Sequence, residues 1–135
     1  MSTLCPLCDE IGGELVWQND FARVILADEA NYPGFCRVIL QRHTAEMTDL
    51  SSTERHKLMD IVFAVEQIVR DTLQPNKINL AALGNMVPHL HWHIIPRWTD
   101  DLHFPAPVWG TAQRSEPHTV AAAQLAELKQ QLLSL

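Results

Sequence analysis

Apolar positions along the chain recur with a period of two in some stretches and with a helical period of about 3.6 in others. Short apolar runs bounded by turn residues predict five strands, over residues 14–17, 21–27, 35–41, 77–83 and 89–95. The polar residues between the first two strands suit a hairpin turn. Pro96 is expected to end the last strand or to place it at an edge, because proline donates no ladder hydrogen bond.

Two further segments have helical periodicity. Ser51 and Glu54 have the spacing of a capping box, and the helix that they predict ends before Pro75. Its apolar positions recur at helical spacing: Leu58, Ile61, Val62, Val65, Ile68, Val69 and Leu73. A second helix is predicted over residues 119–133. Residues 97–117 contain prolines and large aromatic residues without a period, so we expect an ordered arm that packs on the domain.

The composition narrows the class of protein. A chain of 135 residues with 47% hydrophobic and 19% charged residues is typical of one globular domain. The net charge of -6 argues against a broad surface for duplex nucleic acid, but not against a pocket for a small nucleotide. No signal peptide and no membrane segment are expected, because no stretch approaches ~18 apolar residues. Three cysteines, an odd number, favour a reducing compartment and hence a cytoplasmic location.

The sequence His-Leu-His-Trp-His at residues 89–93 is the chemical centre of the chain. In an extended strand, His89, His91 and His93 point to one face, with Cα atoms roughly 6 to 7 Å apart. Burying three imidazoles together costs desolvation without a packing gain, which argues against a purely structural role. The remaining interpretations are a metal shared by the three histidines and chemistry at phosphorus.

Chemistry at phosphorus gives the central histidine a distinct role. A neutral imidazole nitrogen of His91 could attack phosphorus while neighbouring histidines donate hydrogen bonds to the nonbridging oxygens. The second ring nitrogen of His91 then needs an acceptor, commonly a backbone carbonyl, that fixes the tautomer. Of the other four histidines, His56, His103 and His118 are expected on the surface.

The cysteines allow several interpretations. Cys5 and Cys8 form a CxxC pair, which could be redox-active, metal-binding or accidental. Tetrahedral zinc would need two more ligands, and His43 is a candidate because it follows a strand of the same predicted sheet. Cys36 is expected to act as a small apolar residue within a strand.

The stretch from Gly84 to Arg97 resembles the signature of the histidine triad (HIT) family, in particular bacterial-type members similar to diadenosine polyphosphate hydrolases. Asp28 before a loop, the strand from Arg37 to His43 and the helix after Ser51 fall in the family's order. The resemblance implies an α+β, HIT-like fold. It has an antiparallel sheet of about five strands, one long central helix, a C-terminal helix and usually a homodimeric state. We expect a HIT domain over residues 1–110, with residues 111–135 as an arm and helix packed on it.

The resemblance also implies a function. Family members are hydrolases or transferases that act on nucleoside phosphoramidates, dinucleoside polyphosphates or related nucleotides, with no catalytic cofactor. By resemblance, His91 would form a nucleotidyl-histidine intermediate, His93 would bind the α-phosphate and Asp28 would accept the ribose hydroxyls. Asn79 and Asn85 are candidates for further phosphate contacts. In members with an N-terminal CxxC, a structural zinc is held by the residues that match Cys5, Cys8, His43 and His89.

Two positions depart from the family pattern. Phe35 stands where many members have a histidine, and Met86 stands where many have Ser or Thr. These departures motivate an alternative, a nucleotide-binding regulatory module with little turnover. Two tryptophans, Trp98 and Trp109, are expected to pack as aromatic residues, although an arm near the triad could also gate substrate or contact the leaving group.

Overall fold

An antiparallel five-stranded sheet forms the centre of the computed structural model, which describes residues 4–135. The strand order is β1-β2-β3-β5-β4, and every neighbouring pair is antiparallel. The predicted α+β class with an antiparallel sheet of five strands is therefore confirmed. The strands are β1 (Glu14–Gln18), β2 (Ala22–Leu26), β3 (Cys36–Leu40), β4 (Lys77–Ala81) and β5 (His91–Arg97).

The long central helix is α2 (Ser52–Leu73), and it begins at the predicted capping box. The Glu54 amide donates to Ser51 Oγ at 3.1 Å, and the Ser51 amide donates to Glu54 Oε1 at 2.9 Å. The helix α3 (Ala122–Leu133) packs on α2 and β1 through Leu128 and Leu132, which are fully buried. Two short elements were not predicted, α1 (Pro6–Asp9) and a 3-10 helix (Met47–Asp49). Within residues 4–135, no helix is both long and apolar enough to cross a bilayer.

The two faces of the sheet have different neighbours. One face carries Val24, Val38 and Ile94, which pack with the buried side of α2 in the main core. Strand register places Arg37 and His93 opposite each other on the other face. That second face is covered in part by the segment after Cys8 and in part by the arm of residues 98–117, and the candidate site lies on it.

Strand β5 differs from its predicted bounds at both ends. It begins at His91 rather than at residue 89, so His89 lies before the strand and the three histidines do not share one strand face. It also continues through Pro96, which pairs with Ile78 of β4. The pairing with β3 ends at Ile94, so Pro96 has a neighbouring strand on one side only. The proline nitrogen, which has no hydrogen to donate, can lie on the unpaired side.

The arm is ordered, as predicted, and is anchored by a buried ion pair. Arg97 donates from Nε to Asp101 Oδ2 at 2.7 Å, and the side chains are 2% and 0% exposed. Trp98 is buried and stacks on His118, with ring centroids 4.1 Å apart. The prediction of a surface position was wrong for His103 and His118, which are both half-buried. The His103 ring stacks on Tyr32, and its Nδ1 is hydrogen-bonded to the Tyr32 hydroxyl at 2.6 Å.

Candidate active site and metal centre

His91 and His93 form the centre of a cavity of about 400 Å³ on the second face of the sheet. They are alternate residues of β5, and their ring centroids lie 5.0 Å apart. The loop before β5 forms one wall of the cavity, where Asn85 and Met86 lie, and the arm contributes Trp109. The cavity therefore has imidazoles at its floor and an apolar rim.

The ring of His91 has a defined tautomer. Its Nδ1 lies 2.6 Å from the backbone carbonyl oxygen of His89. A carbonyl oxygen only accepts, so Nδ1 is the protonated nitrogen and Nε2 carries the lone pair. The structure thus supplies the backbone acceptor that a nucleophilic histidine needs.

The ring of His93 has the opposite tautomer. Arg37 lies opposite it in β3 and donates from Nε to His93 Nδ1 at 3.1 Å. Since arginine only donates, Nδ1 of His93 accepts and the ring proton is on Nε2. Burial, with the nearby Arg37 cation and His91, lowers the pKa of His93 to about 4. At neutral pH His93 is therefore an uncharged hydrogen-bond donor.

Two aromatic rings enclose His93. Phe35 meets it edge-on with ring centroids 5.7 Å apart and is 2% exposed, in a small cluster with Tyr32 and Ile95. Trp109 meets it at 5.1 Å from the other side and is 52% exposed. These rings exclude water from much of the His93 surface, consistent with the lowered pKa.

The four residues predicted as zinc ligands lie together. The donor atoms of Cys5, Cys8, His43 and His89 all fall within 4.8 Å of one another. Cys8 Sγ is 3.3 Å from His43 Nδ1 and 3.5 Å from His89 Nδ1, and Cys5 Sγ is also 3.5 Å from His89 Nδ1. Tetrahedral zinc with Zn–S of about 2.3 Å and Zn–N of about 2.0–2.1 Å requires sulfur-to-nitrogen distances of roughly 3.5 Å. The donor set therefore fits a structural zinc ion.

His89 connects the cluster to the cavity. Its Nε2 donates to the Leu40 carbonyl at 2.6 Å, which leaves Nδ1 with a lone pair directed at the cysteines. Burial lowers its pKa and favours the neutral ring that a metal ligand needs. Its backbone carbonyl meanwhile orients His91. The side chain of His89 belongs to the cluster and its main chain to the cavity.

The CxxC segment is held to the sheet by Arg23 of β2. Its guanidinium donates to the backbone carbonyls of Leu7, Glu10 and Ile11 at 2.7 to 3.0 Å. Cys36, in contrast, is fully buried in β3, and burial raises its pKa to about 12. This agrees with its predicted apolar role.

The predicted nucleotide contacts lie in different places. Asn85 lines the cavity on its exposed loop, while Asp28 is exposed two residues after β2 and is not among the described residues that line the cavity. Asn79 faces the same side of the sheet, but its Oδ1 accepts from Arg97 at 2.7 Å. The roles assigned to these residues stay predictions.

One residue of the cavity, Arg37, was not identified as functional from the sequence, although it carried a local signal, a lone charge within the apolar run from Phe35 to Leu40. For Trp109 the sequence left two interpretations open, aromatic packing and a role beside the triad, because its position depends on how the arm folds back. Both contact His93 across the sheet or from the arm, which no local pattern encodes.

Comparison with known proteins adds the family. The HIT domain model matches residues 9–100. The AP-4-A phosphorylase of Mycobacterium tuberculosis is 30% identical over 78 residues, which are 53% of this chain and 40% of that protein. The bis(5'-nucleosyl)-tetraphosphatase [asymmetrical] of Schizosaccharomyces pombe is 25% identical over 111 residues, 78% of this chain and 61% of that protein. The chain thus spans less than two thirds of the length of either relative.

A solved structure agrees with the fold. The histidine triad protein of Bradyrhizobium japonicum superposes with a TM-score of 0.75 and 31% identity, covering 90% of this chain and 89% of that one. The similarity therefore extends over nearly the whole chain.

Proposed function

The chain belongs to the HIT domain family, and we propose that it is a nucleotide hydrolase or transferase that cleaves a phosphoanhydride or phosphoramidate bond at the α-phosphate. The observation that carries this proposal is the pair of adjacent imidazoles with opposite tautomers, one with a free lone pair and one with a free N–H. The two relatives, named as an AP-4-A phosphorylase and a bis(5'-nucleosyl)-tetraphosphatase, support a nucleotide substrate.

The proposed reaction has two steps at phosphorus. His91 Nε2 attacks the α-phosphorus, the N–P bond forms, and the bond from phosphorus to the leaving group breaks, with its electron pair going to the leaving group, which takes a proton from solvent as its basicity requires. Water then attacks the same phosphorus and gives up a proton to solvent, the N–P bond breaks with its electron pair returning to His91 Nε2, and a nucleoside monophosphate is released. The His89 carbonyl stabilises the positive charge that builds on the His91 ring as the first bond forms, because its oxygen accepts a hydrogen bond from Nδ1–H at an N···O distance of 2.6 Å.

The remaining predicted residues complete the proposal. His93 donates its Nε2 proton to a nonbridging oxygen of the α-phosphate. Asp28 accepts from the ribose hydroxyls, a role that suits a carboxylate with two acceptor oxygens. Asn85, in the cavity wall, and Asn79 would contact phosphate oxygens.

A structural zinc is part of the proposal. Cys5 and Cys8 from the N-terminal segment, His43 after β3 and His89 before β5 would hold it. Such an ion supplies a cross-link between segments that are far apart in sequence and takes no part in the reaction. Thiolate ligands agree with the proposed cytoplasmic, reducing location.

The proposed assembly is a homodimer. Strand β4 lies at the edge of the sheet and has a strand neighbour, β5, on one side only. An edge strand presents unpaired backbone groups, which a second copy of the chain can cover. We also propose that residues 1–110 form a HIT domain and that residues 111–135 form an arm and helix packed on it.

The experiment that tests the activity uses adenosine phosphoramidate and diadenosine tetraphosphate as separate substrates. The wild-type protein is expected to release AMP from at least one of them, and His91→Ala is expected to lose that turnover. His56→Ala, an exposed change on α2, is the matched control and should retain it. Mass spectrometry should find an adenylyl group on the peptide that contains His91. Equal turnover by His91→Ala contradicts the mechanism.

A regulatory nucleotide-binding module is the second candidate. Its motivation is that Phe35 is buried against His93 and that Met86, at the cavity wall, is 95% exposed without a hydroxyl. Calorimetry that finds tight binding of a nucleoside monophosphate, together with no turnover of either substrate, would favour this candidate over the enzyme.

A further inference from the structure

Three arginines lie on the face of the sheet that carries the cavity: Arg23 of β2, Arg37 of β3 and Arg97 of β5. The outer two are fully engaged by chain segments. Arg23 holds the N-terminal segment through three backbone carbonyls, and Arg97 holds the arm through Asp101 and the Ala106 carbonyl. Arg37 lies between them, where the cavity opens.

The terminal nitrogens of Arg37 have no partner among the residues that the structure describes. Within residues 4–135, its one side-chain hydrogen bond is from Nε to His93, and none of the ion pairs includes it. No buried side-chain nitrogen or oxygen in that part of the chain lacks a partner, so Nη1 and Nη2 reach the cavity rather than the protein interior. The guanidinium group therefore presents its open edge to whatever the cavity holds.

The surroundings of Arg37 favour an anionic ligand. The guanidinium carbon lies 5.1 Å from the centre of the Phe35 ring, and burial lowers the pKa of the group, with the Glu29 charge opposing that shift. A half-buried cation without a bonded carboxylate gains when an anion with two oxygens binds to its fork. The chain as a whole carries a net charge of -6, so this cation is not part of a general basic surface.

We propose that Arg37 is a phosphate-binding residue of this site, which holds His93 as the Nε2–H tautomer through Nε and binds nonbridging phosphate oxygens through Nη1 and Nη2. The proposal rests on the proposed function, because it takes the phosphate to be that of the nucleotide substrate. It assigns two roles to one side chain, a contact to substrate and the positioning of a second phosphate donor.

The binding test compares AMP with adenosine, which lacks the phosphate, by calorimetry. Arg37→Gln is expected to weaken AMP binding by about 10-fold or more, since hydrogen bonds to a charged group are lost, and to leave adenosine binding within about twofold. Arg37→Lys, which keeps the charge without the fork, should lie between the two. Arg70→Gln removes the same charge from the exposed part of α2, on the opposite face of the sheet, and should change neither affinity. Unchanged AMP binding in Arg37→Gln, or equal losses for AMP and adenosine, overturns the proposal.

The positioning role has its own test, by nitrogen NMR of the imidazole rings without any ligand. Wild-type His93 is expected to show an unprotonated Nδ1 and a protonated Nε2, and Arg37→Gln is expected to show a mixture of tautomers. A protonated Nδ1 in the wild-type protein contradicts the proposal, and so does an unchanged tautomer in Arg37→Gln.

Pyrophosphate separates this inference from the proposed activity. If the wild-type protein turns over no nucleotide but binds pyrophosphate, and Arg37→Gln loses that binding, the activity is refuted and the phosphate site stands. If turnover depends on His91 while Arg37→Gln keeps kcat/KM within about twofold, the activity stands and the role of Arg37 is refuted. A wild-type protein that binds neither AMP nor pyrophosphate also refutes it.

Discussion

Replacing Asp101 with alanine should destabilise the protein strongly. Its carboxylate is fully buried and accepts from Arg97 through both oxygens, at 2.7 and 3.1 Å. It also accepts from the backbone amides of Trp98, His103 and Phe104 at 2.7 to 3.1 Å. Without it, the 2% exposed Arg97 keeps a charge that no buried anion balances.

The expected loss follows from that uncompensated charge. Removing one partner of a buried ion pair costs about 3–5 kcal/mol. With about 2.1 cal/mol/K per residue, a chain of 135 residues has an unfolding entropy of roughly 0.28 kcal/mol/K. Dividing a stability loss of about 4 kcal/mol by this entropy gives a decrease in Tm of roughly 14 °C. Urea and thermal denaturation of Asp101→Ala measure this directly.

The control for this prediction is the neighbouring residue. Asp100 is 70% exposed and pairs with His118, so Asp100→Ala removes one exposed carboxylate and should lower Tm by a few degrees at most. In a double-mutant cycle, Arg97→Met combined with Asp101→Ala should cost less than the two single changes added together. A drop in Tm equal to that of Asp100→Ala, or strict additivity in the cycle, would refute the reasoning.

The pH dependence of the same pair has a defined sign. Burial alone would raise the pKa of Asp101, but the hydrogen bonds from Arg97 and from the amides of Trp98 and Phe104 outweigh burial and lower that pKa. A lowered carboxyl pKa contributes stability that is fully present above the unfolded value of about 3.9 and is lost as the pH falls through the folded value. The stability advantage of the wild-type protein over Asp101→Ala should therefore persist at neutral pH and shrink only in acid.

Three further predictions concern the site. Elemental analysis is expected to find one zinc ion per chain in the wild-type protein and in Cys36→Ala, which lies outside the cluster, but not in Cys8→Ser. Equal zinc contents in the two variants would contradict the ligand set. In an NMR titration of the folded protein, the midpoint of His93 should be about 4. The free energy of unfolding should therefore fall as the pH is lowered from 6.5 to 4, because His93 of the unfolded chain takes up its proton first. A midpoint above 6 would contradict the burial of His93. Trp109→Ala should raise KM several-fold with little change in Tm, because the ring is 52% exposed yet borders His93, and an unchanged KM would exclude it from the substrate site.

The sequence predicts local structure better than it predicts contacts between elements. The helix α2 follows from a capping box and a regular apolar face, both of which are local features. The strands follow from short apolar runs, but the start of β5 at His91 does not, because strand ends depend on where the partner strands stop. Pro96 lies within β5 because the pairing with β4 continues past it, whereas the pairing with β3 has already ended at Ile94.

The site divides in a similar way. Resemblance to the family motif identified His91, His93 and the four cluster residues, and the structure brings each group together. Arg37 was not identified, because its role arises from cross-strand register with His93. His103 was predicted on the surface because no local pattern indicates its hydrogen bond with Tyr32, which is 71 residues away in the sequence.

The histidines recur every second residue, which is also the repeat of a strand, so a slip of β5 by two residues would still place an imidazole at two of the three positions. The run alone cannot specify which imidazole is which. The position of each histidine is set by contacts on either side of the run that occur only once. The Leu40 carbonyl accepts from His89 at one end, and Asp101 pairs with Arg97 at the other. The residues that flank the run therefore fix the register of β5. Grafting the five-residue run alone into another protein would transfer the imidazoles without the contacts that give each of them its separate role.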